Sequence, residues 1–285
     1  MKTAIIDIGS NSVRLLVVNG EFSQKFVKIT KLVKDMTNGR TLSIDSIKRT
    51  AEAVLFFVDF AKGLGIDDIC IFATAAVRSA DNKEDFTRLV KEKTGIIVDV
   101  ISGELEGKLG HLGVYSGKDG GVIDIGGGST EITVYNKGEC IYSHSMPFGA
   151  VNLTNMFAQD SCKIKDFLSS EIKSFGDIPK SDYAVIGGTA SNVVSVLLGL
   201  EKFDSTLVDG QIISKTEVAN LLDTVAEMTV DDRKRIVGLQ VERSANFHAG
   251  LSILYLLFDY LKINEVRLSE KDNLEGYLFY KKGIL

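Results

Sequence analysis

The sequence predicts an α/β protein of two related domains, each a mixed sheet flanked by helices. Two observations carry that expectation. Residues 4–18, AIIDIGSNSVRLLVV, return as GVIDIGGGSTEITVY at 121–135, a shift of 117 positions (Asp7 to Asp124). The same shift lays Gly9 on Gly126, Ser12 on Ser129, Val17 on Val134 and Arg14 on Glu131. The first half then reads β-β-β-α-β-α-β, the order of a mixed sheet with helices packed on it. With 285 residues, 45% of them hydrophobic and 25% charged, the chain is long enough for one large or two ordinary domains with a full core.

Each repeat is a buried strand, a glycine-bearing turn and a second strand. Val122, Ile123 and Ile125 suit a strand, and Asp124 interrupts them. A carboxylate at the mouth of a buried strand is costly unless a cation or hydrogen-bond donors meet it. Gly126, Gly127 and Gly128 lack Cβ, so their N–H groups can converge on an anion, most often phosphate. Ser129 and Thr130 add hydroxyls and Glu131 a second carboxylate, so the loop has the chemistry for a metal–phosphate pair. A plain glycine-rich hairpin turn would use the same glycines.

In chain order, residues 3–18 form a hairpin with 7–12 as its loop, where Gly9 and Asn11 suit the turn. Residues 22–32 are a third strand and 36–41 a loop. Ser43 caps a helix whose apolar side is Ile44, Ile47, Ala51, Val54, Leu55 and Val58, ended by Gly63 and Gly65. Strand 69–73 leads through 74–78 to a polar-faced helix at 82–93, closed by Gly95, and then to strand 96–101. Ser102 caps a helix striped by Leu105, Leu109 and Leu112. Glu104 and Glu106 lie in its first turn, where the helix dipole alone accounts for them; a carboxylate over the cleft is the functional alternative. Residues 116–120 mark the domain boundary. In the second half, 139–145 is the third strand and 146–151 enters a helical region. Strand 184–188 ends in glycines before a helix at 192–200, a seat for phosphate or nucleotide. Ser214 caps helix 215–228. The charges of 231–235 and Glu242–Arg243 read as a solvated face. Helix 249–261 is the most apolar and is expected to be central and buried. Strand 265–269 and helix 272–282 close the chain.

Net charge is −5, so nothing overall points to a nucleic-acid polymer or an anionic membrane. Cys70, Cys140 and Cys162 form no CxxC pair and are expected as reduced core residues of a cytoplasmic protein. His111, His144 and His248 are scattered, which argues against a histidine metal cluster. Residues 1–7 do not read as a signal peptide, and the longest apolar run, 251–258, is too short to span a bilayer.

Taken together, DIGSNSVRLLV, ATAAVR, ISGELEG, DIGGGSTE, GGTASN, ERSANFHAGL and LEGYLFY resemble the exopolyphosphatase and guanosine pentaphosphate phosphatase (Ppx/GppA) family, in that family's order and over essentially the whole chain. The resemblance implies the actin-like ATPase superfamily: two ribonuclease-H-like domains, 1–118 and 119–271, with a cleft between them and a terminal helix, about 272–285, packed back on the first. It implies that Glu106 is the catalytic carboxylate that deprotonates water. Asp124 and Glu131 would hold Mg²⁺, and Arg78 would stand near the cleft. It assigns phosphate binding to Asp7, Gly9, Ser10, Asn11 and Ser12, to Gly126, Gly127, Gly128, Ser129 and Thr130, and to the nucleoside-side turn Gly187, Gly188 and Thr189. The implied activity is Mg²⁺-dependent hydrolysis of terminal phosphoanhydride bonds in polyphosphate or guanosine pentaphosphate, by direct water attack, in a possible homodimer. A non-catalytic nucleotide sensor or scaffold and a small-molecule kinase of the same superfamily are the alternatives. The chain ends near Leu285, short of the added C-terminal helical domains of longer members, which implies lower processivity. His248 stands where many members have proline.

Overall fold

A computed structural model describes residues 2–34, 36 and 40–283, so the loop expected at 36–41 lies largely outside the described residues. The first sheet comprises β1 (Lys2–Ile8), β2 (Ser12–Asn19), β3 (Phe22–Ile29), β4 (Ile69–Ala73) and β5 (Val98–Val100), in the order β3-β2-β1-β4-β5. Strands β3, β2 and β1 are antiparallel, while β4 and β5 run parallel to β1. Helices α1 (Ile44–Gly63), α2 (Ala75–Arg78) and α3 (Lys83–Thr94) belong to this lobe, and α4 (Gly103–Tyr115) leads out of it.

The second sheet comprises β6 (Gly120–Ile125), β7 (Thr130–Asn136), β8 (Glu139–Met146), β9 (Tyr183–Ile186), β10 (Ile212–Ser214) and β11 (Glu265–Leu268), in the order β10-β11-β9-β6-β7-β8. Read from β8, its first five strands repeat the order and directions of the first sheet, and β10 adds an antiparallel edge. Each lobe therefore has the strand order of a ribonuclease-H-like domain, and the sequence repeat occupies the central hairpin of each. The remaining helices are α5 (Ala150–Phe157), α6 (Ser161–Glu171), α7 (Gly188–Leu197), α8 (Ser205–Val208), α9 (Lys215–Ala226), α10 (Val230–Arg233), α11 (Phe247–Leu261) and α12 (Asn273–Lys282).

Local chemistry sets the element ends. Ser43, Ser102 and Ser214 accept from Ser46, Leu105 and Glu217 N–H, respectively, as N-caps do. Asp272 accepts from Leu274 N–H while Glu275 returns to Asp272 N–H, a reciprocal cap for α12. Helix α11 is buried along most of its length and sits in the second lobe's core with Ile123, Ile132, Val185 and Val266. The first lobe's core packs α1 residues Ala51, Val54 and Phe57 on Ile6, Leu15 and Ile71.

A third apolar cluster joins the lobes. On the other face of the first sheet, Ile5, Leu16 and Phe72 meet Leu109 of α4 and Leu274, Tyr277 and Leu278 of α12. Phe72 and Tyr277 stack with ring centroids 4.5 Å apart. Helix α4 also lies on β6, β7 and β8, so a helix from the first half packs on the second sheet while the last helix packs on the first. Glycines permit that approach: a Cβ at Gly113 would strike the Asp272 carbonyl, and one at Gly276 the Leu109 carbonyl.

Several expectations need correction. Cys140 and Cys162 are exposed and Cys70 only half-buried, because Cys140 lies on the outermost strand of its sheet and Cys162 in the first turn of α6. The charged stretch at 231–235 is not wholly a solvated face. Arg233 is 1% exposed, donating from Nε at 3.0 Å and from Nη2 at 2.6 Å to the Val225 carbonyl at the end of α9. A helix C-terminus is negative, which suits a buried cation there. The helix expected at 192–200 starts earlier, at Gly188, because Gly187 takes φ +96° and turns β9 directly into it. No helix among the described residues is long and apolar enough to cross a membrane.

Candidate active site

The two repeats build the same turn. Asp7 and Asp124 each stand one residue before the end of their strand. Gly9 N–H donates to Ser12 O at 3.0 Å, and Gly126 N–H to Ser129 O at 3.0 Å. The loop carbonyls are taken from behind: Thr30 and Lys31 N–H bond Asn11 O, while Ala150 and Val151 N–H bond Gly126 O and Gly127 O. Asn152 Nδ2 holds Gly128 O at 2.9 Å. With the carbonyls tied back and the Gly9 and Gly126 amides spent on closing the turns, the Gly127 and Gly128 amides are the glycine N–H groups left to face an anion.

The turns face one another. A Cβ on Gly128 would lie 2.7 Å from Ser10 Oγ, and one on Gly127 3.0 Å from Ser10 Cβ. A single cleft is lined by Asp7, Gly9, Ser10, Asn11 and Ser12 from one lobe and by Asp124, Gly126, Gly127, Gly128 and Ser129 from the other. Glu106, Gly187 and Gly188 complete it, with Thr74, Ala75, Arg14, Arg243, Asp272 and Asn273.

Of the expected site residues, Thr130, Thr189 and Glu131 do not line this cleft, the last buried behind it on β7 beside Asp124. Thr130 is fully buried and donates to the Phe148 carbonyl at 2.8 Å. Thr189 is also buried, its methyl and hydroxyl packed over Gly250 of α11. Arg78 stands just outside the cleft lining and reaches in: Nη1 is 2.8 Å from Glu106 Oε2 and 3.0 Å from the Ile101 carbonyl. It thereby holds Glu106, which projects from the first turn of α4 and is 6% exposed.

The cross-strand register explains how the halves diverge. Asp7 pairs with Arg14, and Asp124 with Glu131, at equivalent positions. In the first lobe the acid has its counter-ion: Arg14 Nε is 2.9 Å from Asp7 Oδ2, and Arg14 Nη1 is 2.7 Å from Asp272 Oδ2. In the second lobe two carboxylates stand side by side. Ser145 Oγ donates to Glu131 Oε1 at 2.6 Å, and Glu131 Oε2 is buried with no protein partner. Asn273 Nδ2 donates to Asp124 Oδ2 at 2.8 Å.

The electrostatics follow. Burial pushes Asp124 up to about 6, against the pull of Arg14. Burial, then the charges of Glu106 and Asp124, drive Glu131 well above the carboxylate range. Burial lifts Glu106 to about 7, opposed by Arg78. A set of buried acids with too little positive charge fits a hard cation. Among the described residues no three acidic, histidine or cysteine side chains gather tightly enough to ligate one ion alone. Asp124 and the adjoining Glu131 are the carboxylate pair whose chemistry would suit a share in holding such a cation.

Arg243, Asp272, Asn273 and Ser145 were missed as site residues. Arg243, read as part of a solvated face, lies over the Gly187–Gly188 turn, where a Cβ on Gly188 would strike its guanidinium. Burial and the neighbouring Arg14 lower it to about 10. Asp272 and Asn273 were legible only as the start of a helix.

The Ppx/GppA phosphatase family profile matches residues 21–282. Exopolyphosphatase 1 of Mycobacterium tuberculosis is 27% identical, over 99% of this chain and 88% of that protein. The bifunctional 3-dehydroquinate synthase/phosphatase of Fusobacterium nucleatum is 30% identical over 96% of this chain, which spans only 45% of its length. A crystal structure of the Aquifex aeolicus Ppx/GppA family member superposes with a TM-score of 0.83 at 26% identity, covering 100% of this chain and 98% of that one. The chain belongs to the Ppx/GppA phosphatase family, and with it to the phosphoanhydride hydrolases.

Proposed function

We propose that the cleft removes the terminal phosphate of inorganic polyphosphate, guanosine pentaphosphate or both, by direct attack of water. The observation that carries this reading is the convergence of both glycine loops and Glu106 on one cleft. The loop amides of Gly127, Gly128 and Ser129 seat the terminal phosphate, with Gly126 closing the turn beneath them, and Ser10, Asn11 and Ser12 seat its neighbour. Glu106, held by Arg78, takes a proton from water as the water oxygen bonds to phosphorus and the bridging P–O bond breaks. An acid lifted to about 7 is well matched to that work near neutral pH. Asp124 and Glu131 would hold Mg²⁺, which would supply positive charge to offset the negative charge developing on the phosphate. Arg14 and Arg243 line the same cleft and add donors for the rest of the phosphate chain.

The groove beyond Gly187 bears on substrate length. Arg14, Lys25, Lys202, Arg243 and Lys271 are offset there by Asp204, Asp209, Glu270, Asp272 and Glu275. By analogy with nucleic acid, affinity for a long polyanion grows with the phosphates neutralised, so a balanced groove favours short substrates. Phosphate release with Mg²⁺ from long polyphosphate, short polyphosphate and guanosine pentaphosphate tests the reading. Release from at least one is expected; release from none, under conditions where the protein binds Mg²⁺, overturns it.

A further inference from the structure

The N-terminus of α12 touches both phosphate loops through two consecutive residues. Asp272 reaches the first loop by way of Arg14, which lies between Asp272 and Asp7. Asn273 reaches the second directly, through Nδ2 to Asp124 Oδ2 at 2.8 Å. Asn273 is 3% exposed and borders the cleft, and its Oδ1, which has no protein hydrogen-bond partner, is buried against Gly110 of α4. An ionised carboxylate only accepts, so the amide must present its N–H₂ to Asp124 and leave the carbonyl oxygen free. The contact ties up one oxygen of Asp124 and fixes the plane of the carboxylate.

We propose that Asn273 is a positioning residue for Asp124, setting through its Nδ2 the orientation in which that carboxylate would meet the cation. The proposal rests on the reading of Asp124 and Glu131 as the Mg²⁺ pair. Loss of an outer-shell partner of this kind typically lowers metal affinity or activity about 10- to 100-fold. The backbone of Asn273 is fixed independently, by the Asp272–Glu275 cap and by Leu274 and Tyr277 in the apolar cluster. Removing the amide therefore leaves α12 docked.

The test is calorimetric titration of Mg²⁺, and of Mn²⁺ as a second probe, into wild type, Asn273→Leu, Asn273→Ala and Tyr277→Phe. Tyr277→Phe cuts the 2.9 Å bond to Asp99, away from the cleft, and controls for loosened docking of α12. Asn273→Leu is expected to weaken Mg²⁺ binding at least tenfold while Tyr277→Phe leaves it unchanged. Hydrolysis by Asn273→Leu is expected to recover toward the wild-type rate at high Mg²⁺, with KM for substrate little altered at saturating metal. Asn273→Ala covers the case in which leucine does not fit. Cation affinity within twofold of wild type in both Asn273 variants overturns the proposal alone. Wild-type protein that takes up neither ion overturns the metal-site reading, and this proposal with it.

Discussion

Glu106 shows how little spacing says about chemistry. Its place in the first turn of α4 is what any helix dipole favours, and nothing in the local sequence separates it from Glu104. Folding separates them: Glu104 pairs with Lys108 on the surface, while Glu106 is buried against Arg78. Only the family resemblance singled out Glu106 in advance. Replacing it by Gln is expected to lower kcat by about 10²- to 10⁴-fold with the fold intact, checked by circular dichroism beside the phosphate assay. As a base Glu106 works only when ionised, so the wild-type rate is expected to climb as pH rises through about 7. The linked stability runs the other way. A folded pKa of about 7 against an ordinary value of 4.5 means the folded state holds the extra proton more tightly. That stability is fully present below about pH 4.5 and is lost as pH rises through 7. In metal-free buffer, Tm of wild type is expected to fall across that window more steeply than Tm of Glu106→Gln; parallel curves would contradict the assignment.

Among the elements, the two central hairpins were the most legible, because a two-residue alternation around Asp and Gly recurs at fixed spacing. Helices with a serine cap, such as α1, α4 and α9, were also found near their observed starts. Short elements escaped: β10 has 3 residues and α8 has 4, too few for any periodicity to register. The packing of α4 and α12 was hidden for a different reason. Its signal is a set of glycines on two helices far apart in sequence, and a glycine announces flexibility before it announces contact. The structure makes that contact testable. Gly113→Val is expected to push α4 off the Asp272 carbonyl and cost about 1–3 kcal/mol or more in urea unfolding. Gly63→Val, where nothing lies within 4 Å of the added carbon, is the matched control and is expected to cost less.

At the scale of the whole molecule, one fold was used twice and then given unequal chemistry. Equivalent strand positions carry Arg14 in one lobe and Glu131 in the other, so one half meets its acid with a cation and the other sets two carboxylates side by side. The repeat was visible in the sequence; the meeting of the two turns was not, since the contact of Ser10 with Gly127 and Gly128 joins residues more than a hundred positions apart. Arg243 was hidden likewise, because a charged pair beside a short turn resembles any solvated face until Gly188 is laid under it. The balanced groove makes a prediction of its own: kcat/KM per chain end is expected to level off after a few phosphates, and a steady rise with polyphosphate length would contradict it.

In the mechanism we propose, Glu106 deprotonates the water that attacks phosphate held between the two loops of one cleft. Phosphate release by wild type and Glu106→Gln, on the same polyphosphate and guanosine pentaphosphate with Mg²⁺, tests that most directly. Turnover by wild type with loss of at least a hundredfold in the variant is predicted; equal rates in the two proteins would contradict it.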